Sequence, residues 1–319
     1  MTSNKEYKIT IIILNWRGKK DILECLHSLA EVTYNNFEII IVDNASSDNS
    51  LKAIKEFKKT STLSIDFIIN NDNLGFAKAN NIGIKKAIEN KADYIMLLNN
   101  DTVVTNDFLT KINDFINQHP EYEILTPQIR YYEKKDIIWN CGGKINKWGI
   151  KKYFFENKKC SVIPAKTFID VNFITGCAIL IKTCIFINYG LLTEDFFFGE
   201  EDVEFALRMK KYNIKSACVL NSVIYHKVSS SVSIASNSLS GKIFIHYLNR
   251  FINMKKHLSP IKWHLWRYCY IIYIMLLMIF KHKIAISKVF HFVKKLINKS
   301  NQLNKVDKLT FDEYFSFNF

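Results

Sequence analysis

Acidic residues are missing from one long stretch of this 319-residue chain: no Asp or Glu occurs from Phe205 through Val306, which carries 18 Lys and Arg. The net charge of +14 is therefore regional, because the other 26 basic residues stand against all 30 acidic ones. A regional excess of this kind suits an anionic partner surface, either lipid headgroups or nucleic acid, or else a plainly solvated basic face. Proline and glycine are scarce, at 4 and 10, and the chain is 48% hydrophobic against 23% charged, which excludes a disordered or collagen-like polymer. The seven cysteines (25, 141, 160, 177, 184, 218 and 269) form no C-x-x-C pair. Their odd number and irregular spacing fit neither a zinc site nor a disulfide framework, and suit reduced, mostly buried thiols of a cytosolic protein. The opening MTSNKEYKIT lacks the apolar core of an export signal, so none is expected. Also lacking is an unbroken apolar run of the roughly 20 residues that cross a bilayer; the longest, Tyr268 to Phe280, has 13.

What is present begins with alternation. Apolar runs at 8–14, 37–42, 64–69 and 93–98 read as strands, and the segments between them carry apolar residues three or four apart, as helices packed on a sheet require. The expectation is an α/β layer with a mostly parallel sheet, and Asp48 is a candidate N-cap for its second helix. A helix over 107–117, strands at EILTPQI and GCAILI, and a helix beginning near Glu201 follow. The tail differs in kind: Trp263, Trp266, Tyr268 and basic residues flank its apolar run, as in a helix lying at the headgroup boundary. A buried helix, an oligomer contact and a true span are the alternatives for that segment.

Each early strand ends in small or polar residues: Asn15, then Asp43 and Asn44, then Asn70 to Gly75, then Asn99 to Asp101. In an open parallel sheet the ligand crevice lies at the carboxyl ends of the strands, so the four sets would line one edge, as in a nucleotide site. Asp43 could accept the imide N–H of a uracil or thymine ring, although an Asp opening a turn before a helix is also ordinary. Asp101 follows a buried strand, where a carboxylate needs a partner, or it caps a helix or turn. Glu200, Glu201, Asp202 and Glu204 crowd a helix start; crowding raises carboxylate pKa values and suits a general base, while the helix dipole favours acids there in any case.

Six segments carry a resemblance: IIILNWRGKKDILECLHSL, IIIVDNASSDNS, NDNLGFAKANNIGI, LLNNDTVV, ITGCAILIKTCIFINYGLLTEDFFFGEEDVEFALRMK and VIYHKVSSS. In this order, over about residues 8–232, they resemble the family 2 glycosyltransferases of the rhamnosyltransferase-like branch, whose GT-A fold is Rossmann-like with helices on both faces of the sheet. The resemblance gives Asp43 base recognition, with Asn15, Asn44, Asn73, Gly75, Asn80 and Asn100 beside the nucleotide. Asn99 stands where the family's D-x-D metal motif has its first Asp, so Asp101 would dominate the binding of Mn²⁺ or Mg²⁺, and His226 would lie near metal and diphosphate. Lys227 and Ser229 to Ser231 would add donors to phosphate oxygens. Glu201 and Asp202 match the family's Glu-Asp pair, with Asp202 as the base of an inverting transfer and Glu204 as the final acid. Trp139 and Gly176 match acceptor-side segments, although Trp139 equally suits a core.

The resulting expectation is a catalytic domain over 1–240 and a basic, apolar helical extension over 241–319 that associates with membrane. Its partners would be a UDP- or dTDP-sugar, a glycan acceptor joined to lipid, and the anionic inner face of the plasma membrane. Two rivals are a catalytically inactive sugar-nucleotide scaffold of the same fold and a nucleic-acid-binding protein. No nucleic-acid motif accompanies the basic half.

Overall fold

The structure is a computed structural model that describes residues 4–228 and 239–315. Its first half is the expected alternation: β1 (Ile9–Asn15), α1 (Lys19–Ala30), β2 (Phe37–Asp43), α2 (Ser50–Thr60), β3 (Ile65–Ile69), α3 (Phe76–Glu89) and β4 (Tyr94–Asn99). Strands β3, β2, β1 and β4 lie side by side in that order, all parallel. The side-chain period of two explains why helices cover both faces. Ile9, Ile11 and Ile13 pack with α1 and α2, while Ile12 packs with the alanine-rich face of α3. Each fully buried isoleucine contributes roughly 1.5–3 kcal/mol, so a one-residue slip of register would be costly. Asp48 accepts the amides of Ser50 and Lys19 from one position farther out than expected, because Asn49, in the left-handed region, is the residue that enters α2.

The second half completes a mixed sheet. It contains β5 (Thr102–Val104), α4 (Phe108–Gln118), β6 (Tyr122–Tyr131), β7 (Ile138–Asn140), β8 (Gly143–Ile145), β9 (Lys151–Tyr153), β10 (Phe168–Val171), β11 (Ala178–Lys182), α5 (Thr183–Tyr189), α6 (Glu201–Lys211) and β12 (Lys215–His226). Strand β11 runs antiparallel between β4 and β6, β12 lies parallel to β6, and β8 and β9 form a separate hairpin. Register decides where function can sit. Asn15 stands opposite Asp43, and Leu14 opposite Asn99, so the polar strand ends share one level beside the switch between β1 and β4.

The C-terminal helices are α7 (Leu239–His257), α8 (Pro260–Leu276), α9 (Ile286–Gln302) and α10 (Lys308–Phe315). They share a core with α6: Phe244, Leu248 and Phe251 pack with Val203, Ala206 and Leu207. The amide of Phe197 donates to Val306 O at 2.7 Å, and the amide of Val306 to Asp195 O at 2.7 Å, which joins the tail to the loop before α6. With the π turn after it, α8 extends over Pro260–Lys281, 22 residues, long and apolar enough to cross a membrane. One side of it is nevertheless packed on protein through Trp263, Trp266, Ile274 and Met278. The other side exposes Ile261, Leu265, Tyr268, Ile272, Leu276 and Phe280. All seven cysteines are unpaired; Cys25, Cys141, Cys177 and Cys218 are buried, and Cys269 is exposed.

Candidate active site

The polar ends of β1 and β2 form one hydrogen-bonded floor. Asn15 donates to Asp43 Oδ1 at 3.0 Å and to Ser50 Oγ at 2.8 Å, while Asn100 donates to Asn15 Oδ1 at 3.1 Å. The amide of Ser46 reaches the other Asp43 oxygen at 3.1 Å. Asp43 is only 2% exposed, and its carboxylate has two lone pairs left once these bonds are counted. Gly18 closes this floor: a Cβ there would lie 2.3 Å from Asn100 Nδ2. Asn44 builds the adjoining wall, donating to Asn73 Oδ1 at 2.7 Å and accepting from Asn70 Nδ2 at 3.1 Å and the Leu74 amide at 3.0 Å.

Two of the nucleotide candidates serve protein contacts. Gly75 has φ +81°, and a Cβ on it would stand 2.2 Å from Phe197 O, so its close approach is to the loop before α6. The next amide, of Phe76, donates to that same Phe197 oxygen at 3.0 Å. Asn80 is 2% exposed and donates to Phe76 O at 2.9 Å, within its own helix. The loop at Gly75 is thereby seated on the segment that leads to Glu201 and Asp202.

Asp101 and His226 are 125 positions apart in sequence and meet because β12 pairs antiparallel with β5, placing His226 opposite Thr102. Nε2 of His226 lies 3.1 Å from Asp101 Oδ1, with both side chains under 10% exposed. Burial opposes a charge on the ring, but Cys177 and Asp101 beside it outweigh burial and raise His226 to about 10. Trp139 meets the same ring edge-on at 4.5 Å and packs on the core, so it lies on the His226 side of the site. Asn99 is partly exposed, and its amide N–H donates to Cys177 O at 2.8 Å, which sets it next to Gly176. Gly176 in turn packs against Phe76, where a Cβ would come within 3.2 Å of the ring.

The donor set at Asp101 and His226 fits a divalent cation. Ligands held about 2.1 Å from one ion at right angles stand about 3.0 Å apart, close to the observed spacing. An imidazole with a carboxylate suits Mn²⁺ particularly, since it accepts nitrogen as well as oxygen. Among the described residues no group of three His, Cys, Asp or Glu could hold an ion unaided, so diphosphate oxygens would have to complete the shell. Lys227, expected at the phosphates, instead pairs with Asp21 at 2.8 Å and Glu24 at 2.6 Å. Ser229 to Ser231 lie outside the described residues.

The acidic loop is held from outside. Glu200 enters α6 with φ 79°, a left-handed backbone that a non-glycine residue adopts only when its surroundings enforce it. Its carboxylate lies 2.5 Å from Arg250 Nε and accepts Asn253 Nδ2 at 3.0 Å; Asn249 Nδ2 donates to Phe198 O and Gly199 O at 3.0 and 3.2 Å. Glu204 is tied to Arg208, whose guanidinium also caps the carbonyls of Tyr189, Gly190 and Leu191, so this acid is a structural strut. Glu201 is 8% exposed, and burial together with Asp202 pushes its carboxyl up to about 8. Asp202 is the partly exposed member of the pair; burial raises its pKa against the opposing pull of Lys151. Arg250, Asn253, Asn249 and Lys151 were not legible as site residues. The hint in the sequence is the spacing of Asn249, Arg250 and Asn253 at i, i+1 and i+4 among Leu248, Phe251, Ile252 and Met254.

Comparisons with known proteins bear on the family and the fold. The family model described as "Glycosyl transferase family 2" matches residues 10–188. The chain is 24% identical over 250 residues to the "Low-salt glycan biosynthesis hexosyltransferase Agl10" of Haloferax volcanii, covering 76% of this chain and 74% of that protein. It is 27% identical over 209 residues to a "Poly-beta-1,6-N-acetyl-D-glucosamine synthase" of Staphylococcus aureus, covering 65% of this chain but 47% of the synthase. Among solved structures, GalNAc-T7 with UDP, GalNAc and Mn²⁺ superposes with a TM-score of 0.62 at 18% identity, over 79% of this chain and 48% of that one. At that identity the likeness shows the fold, which is GT-A.

Proposed function

Because the chain belongs to glycosyl transferase family 2, we propose that it is an inverting, metal-dependent glycosyltransferase that moves a sugar from a UDP- or dTDP-sugar to a hydroxyl of a lipid-linked glycan in cell-surface polysaccharide synthesis. One observation carries this reading. The seat of Gly75 and Phe76 on Phe197 sets the asparagine-lined crevice against the loop that leads into Glu201 and Asp202 at the start of α6. That contact supports a donor and a base on adjoining elements.

Asn15, Asp43, Asn44, Asn73 and Asn100 hold the base and ribose, with Asp43 accepting the imide N–H on its remaining lone pairs. Asp101 and His226, with Asn99 at the end of β4, would hold the cation, which when bound would neutralise charge developing on the diphosphate. Burial raises the carboxyls of both Glu201 and Asp202, and Lys151 pulls Asp202 back toward the carboxylate that a base requires. As the acceptor oxygen forms its bond to the anomeric carbon, the bond from that carbon to the diphosphate breaks on the opposite face, and the hydroxyl proton passes to Asp202. The products are an inverted glycoside and a nucleoside diphosphate. Lys151, beside Asp202, is placed to favour the carboxylate before the proton arrives.

Residues 1–240 would make the catalytic domain and 241–319 the part that rests on the inner membrane face, with the exposed apolar side of α8 in the headgroup layer and its basic flanks on anionic lipid. The test is turnover of UDP-, dTDP- and GDP-sugars by the full chain in detergent, with and without Mn²⁺. Metal-dependent release of UDP or dTDP supports the reading, and a strong preference for GDP-sugars would sink the assignment of Asp43.

A further inference from the structure

A second cavity, of about 690 Å³, lies between the β8–β9 hairpin and helices α7 and α8. Its size is within the roughly 300–1,000 Å³ of sites that bury whole small ligands. One wall is a ladder of stacked rings: Trp266 on Tyr270 at 4.6 Å, then Tyr270 on Tyr273 at 5.6 Å. Trp266 Nε1 donates to Trp148 O at 2.9 Å, and Arg250 donates to Gly149 O, so the hairpin that forms the opposite wall is fastened to both helices. The cavity is therefore a built feature of the fold.

Its two ends differ. The outer end is lined by Leu265, Cys269 and Tyr273, which also belong to the exposed apolar side of α8. The other, basic end is lined by Lys151, His246 and Arg250. Arg250 is paired with Glu200, but Lys151 makes no salt bridge among the described residues and rests over the rings of Phe173 and Tyr153 at 4.8 and 5.8 Å. His246, exposed at this end, stands beside the positive charges of Arg250 and Lys151. Among the charged groups, Asp202 acts most on Lys151, which puts the basic end beside the proposed base.

We infer that this cavity seats the lipid of the acceptor: the hydrocarbon chain of a lipid phosphate enters from the exposed side of α8 and lies along the aromatic wall, and its phosphate sits by Lys151, next to Asp202. Continuity between the cavity mouth and the apolar face of α8 favours a membrane lipid as occupant, and a half-buried lysine without a salt bridge among the described residues, at the basic end, favours an anionic one. The inference rests on the proposed transferase activity and names the part of the acceptor that the site recognises.

Cys269 supplies a reporter at the mouth. Alkylation of the full chain by N-ethylmaleimide is followed at each cysteine by peptide mass spectrometry, with farnesyl phosphate, farnesol or inorganic phosphate present. Farnesyl phosphate at about 80% occupancy should slow labelling of Cys269 about fivefold, leaving the partly exposed Cys160 and Cys184 unchanged. Farnesol and inorganic phosphate should each protect far less. Leu265→Glu, at a position 60% exposed, should abolish protection by placing a carboxylate in the entrance without touching the core, and Lys151→Met should weaken it. Equal protection by inorganic phosphate, equal protection by farnesol, or no protection by farnesyl phosphate would each overturn the proposal. Wild-type turnover of nucleotide sugar, measured alongside, separates the two claims. Turnover with an unprotected Cys269 defeats the cavity proposal alone, while protection without turnover defeats the transferase reading alone.

Discussion

Arg250→Ala should be among the most damaging substitutions outside the crevice, although Arg250 lies 50 residues from the acid it serves. Its side chain is 6% exposed and that of Glu200 is 2% exposed, so removing the guanidinium strands a buried carboxylate whose remaining partner is Asn253. Breaking a buried pair from one side costs about 3–5 kcal/mol. Unfolding entropy near 2.1 cal/mol/K per residue converts this, for a chain of this length, to a melting point lower by about 5–7 °C. The left-handed backbone at Glu200 should then relax and displace Asp202, so turnover should fall while protection by nucleotide persists. Removing both charges with Arg250→Met and Glu200→Gln should restore most of the stability, because no unpaired charge is left inside. The assay is thermal unfolding of the single and double variants with and without UDP. A single variant within about 1 °C of wild type, or a double variant as unstable as the single, would refute the clamp.

Gly75→Ala should cost about 1–3 kcal/mol for the positive-φ backbone alone, and more for the collision with Phe197 O; a combined loss of thermal stability and UDP binding is expected by scanning fluorimetry. Asp101→Asn and His226→Ala should each abolish the extra thermal shift that Mn²⁺ gives with UDP, whereas Asn99→Asp, which adds a charged oxygen ligand, should enlarge it. Glu201→Gln tests the buried carboxyl. The folded-state pKa of Glu201, about 8, lies above the unfolded value, so the native chain binds the proton more tightly and the contribution of Glu201 to stability declines as pH rises toward 8 and is constant above it. Relative to wild type, the variant should therefore gain stability between pH 5 and 8, by an amount on the order of a few kcal/mol at most. A pH-independent difference would contradict that account.

Local patterns made the first half of the fold legible. Isoleucine runs of the right length, separated by amphipathic segments and ending in Asn or Asp, give the parallel strands and the polar edge. The helix beginning near Glu201 is local as well, whereas the pairing of Glu204, expected as the motif's final acid, with Arg208 was not anticipated. Long-range partners were not legible. Asp101 plainly needed a partner, but that His226 supplies one depends on β12 returning beside β5. Lys227 was expected at phosphates because it follows His226, and its two carboxylates come from α1, whose face a single sequence does not disclose. Gly75 signalled a close approach without saying to what. The tail read as an extension because its composition changes abruptly, yet its buried Asn and Arg residues hold the loop that presents the proposed base.

The most direct measurement is turnover by Asp202→Asn, made with the full chain, donor sugar and Mn²⁺, beside calorimetric titration of the same variant with the nucleotide. The account predicts transfer reduced by about 10²-fold or more, with nucleotide affinity and metal dependence retained. Transfer at the wild-type rate would contradict the assignment of Asp202 as the base that completes the reaction.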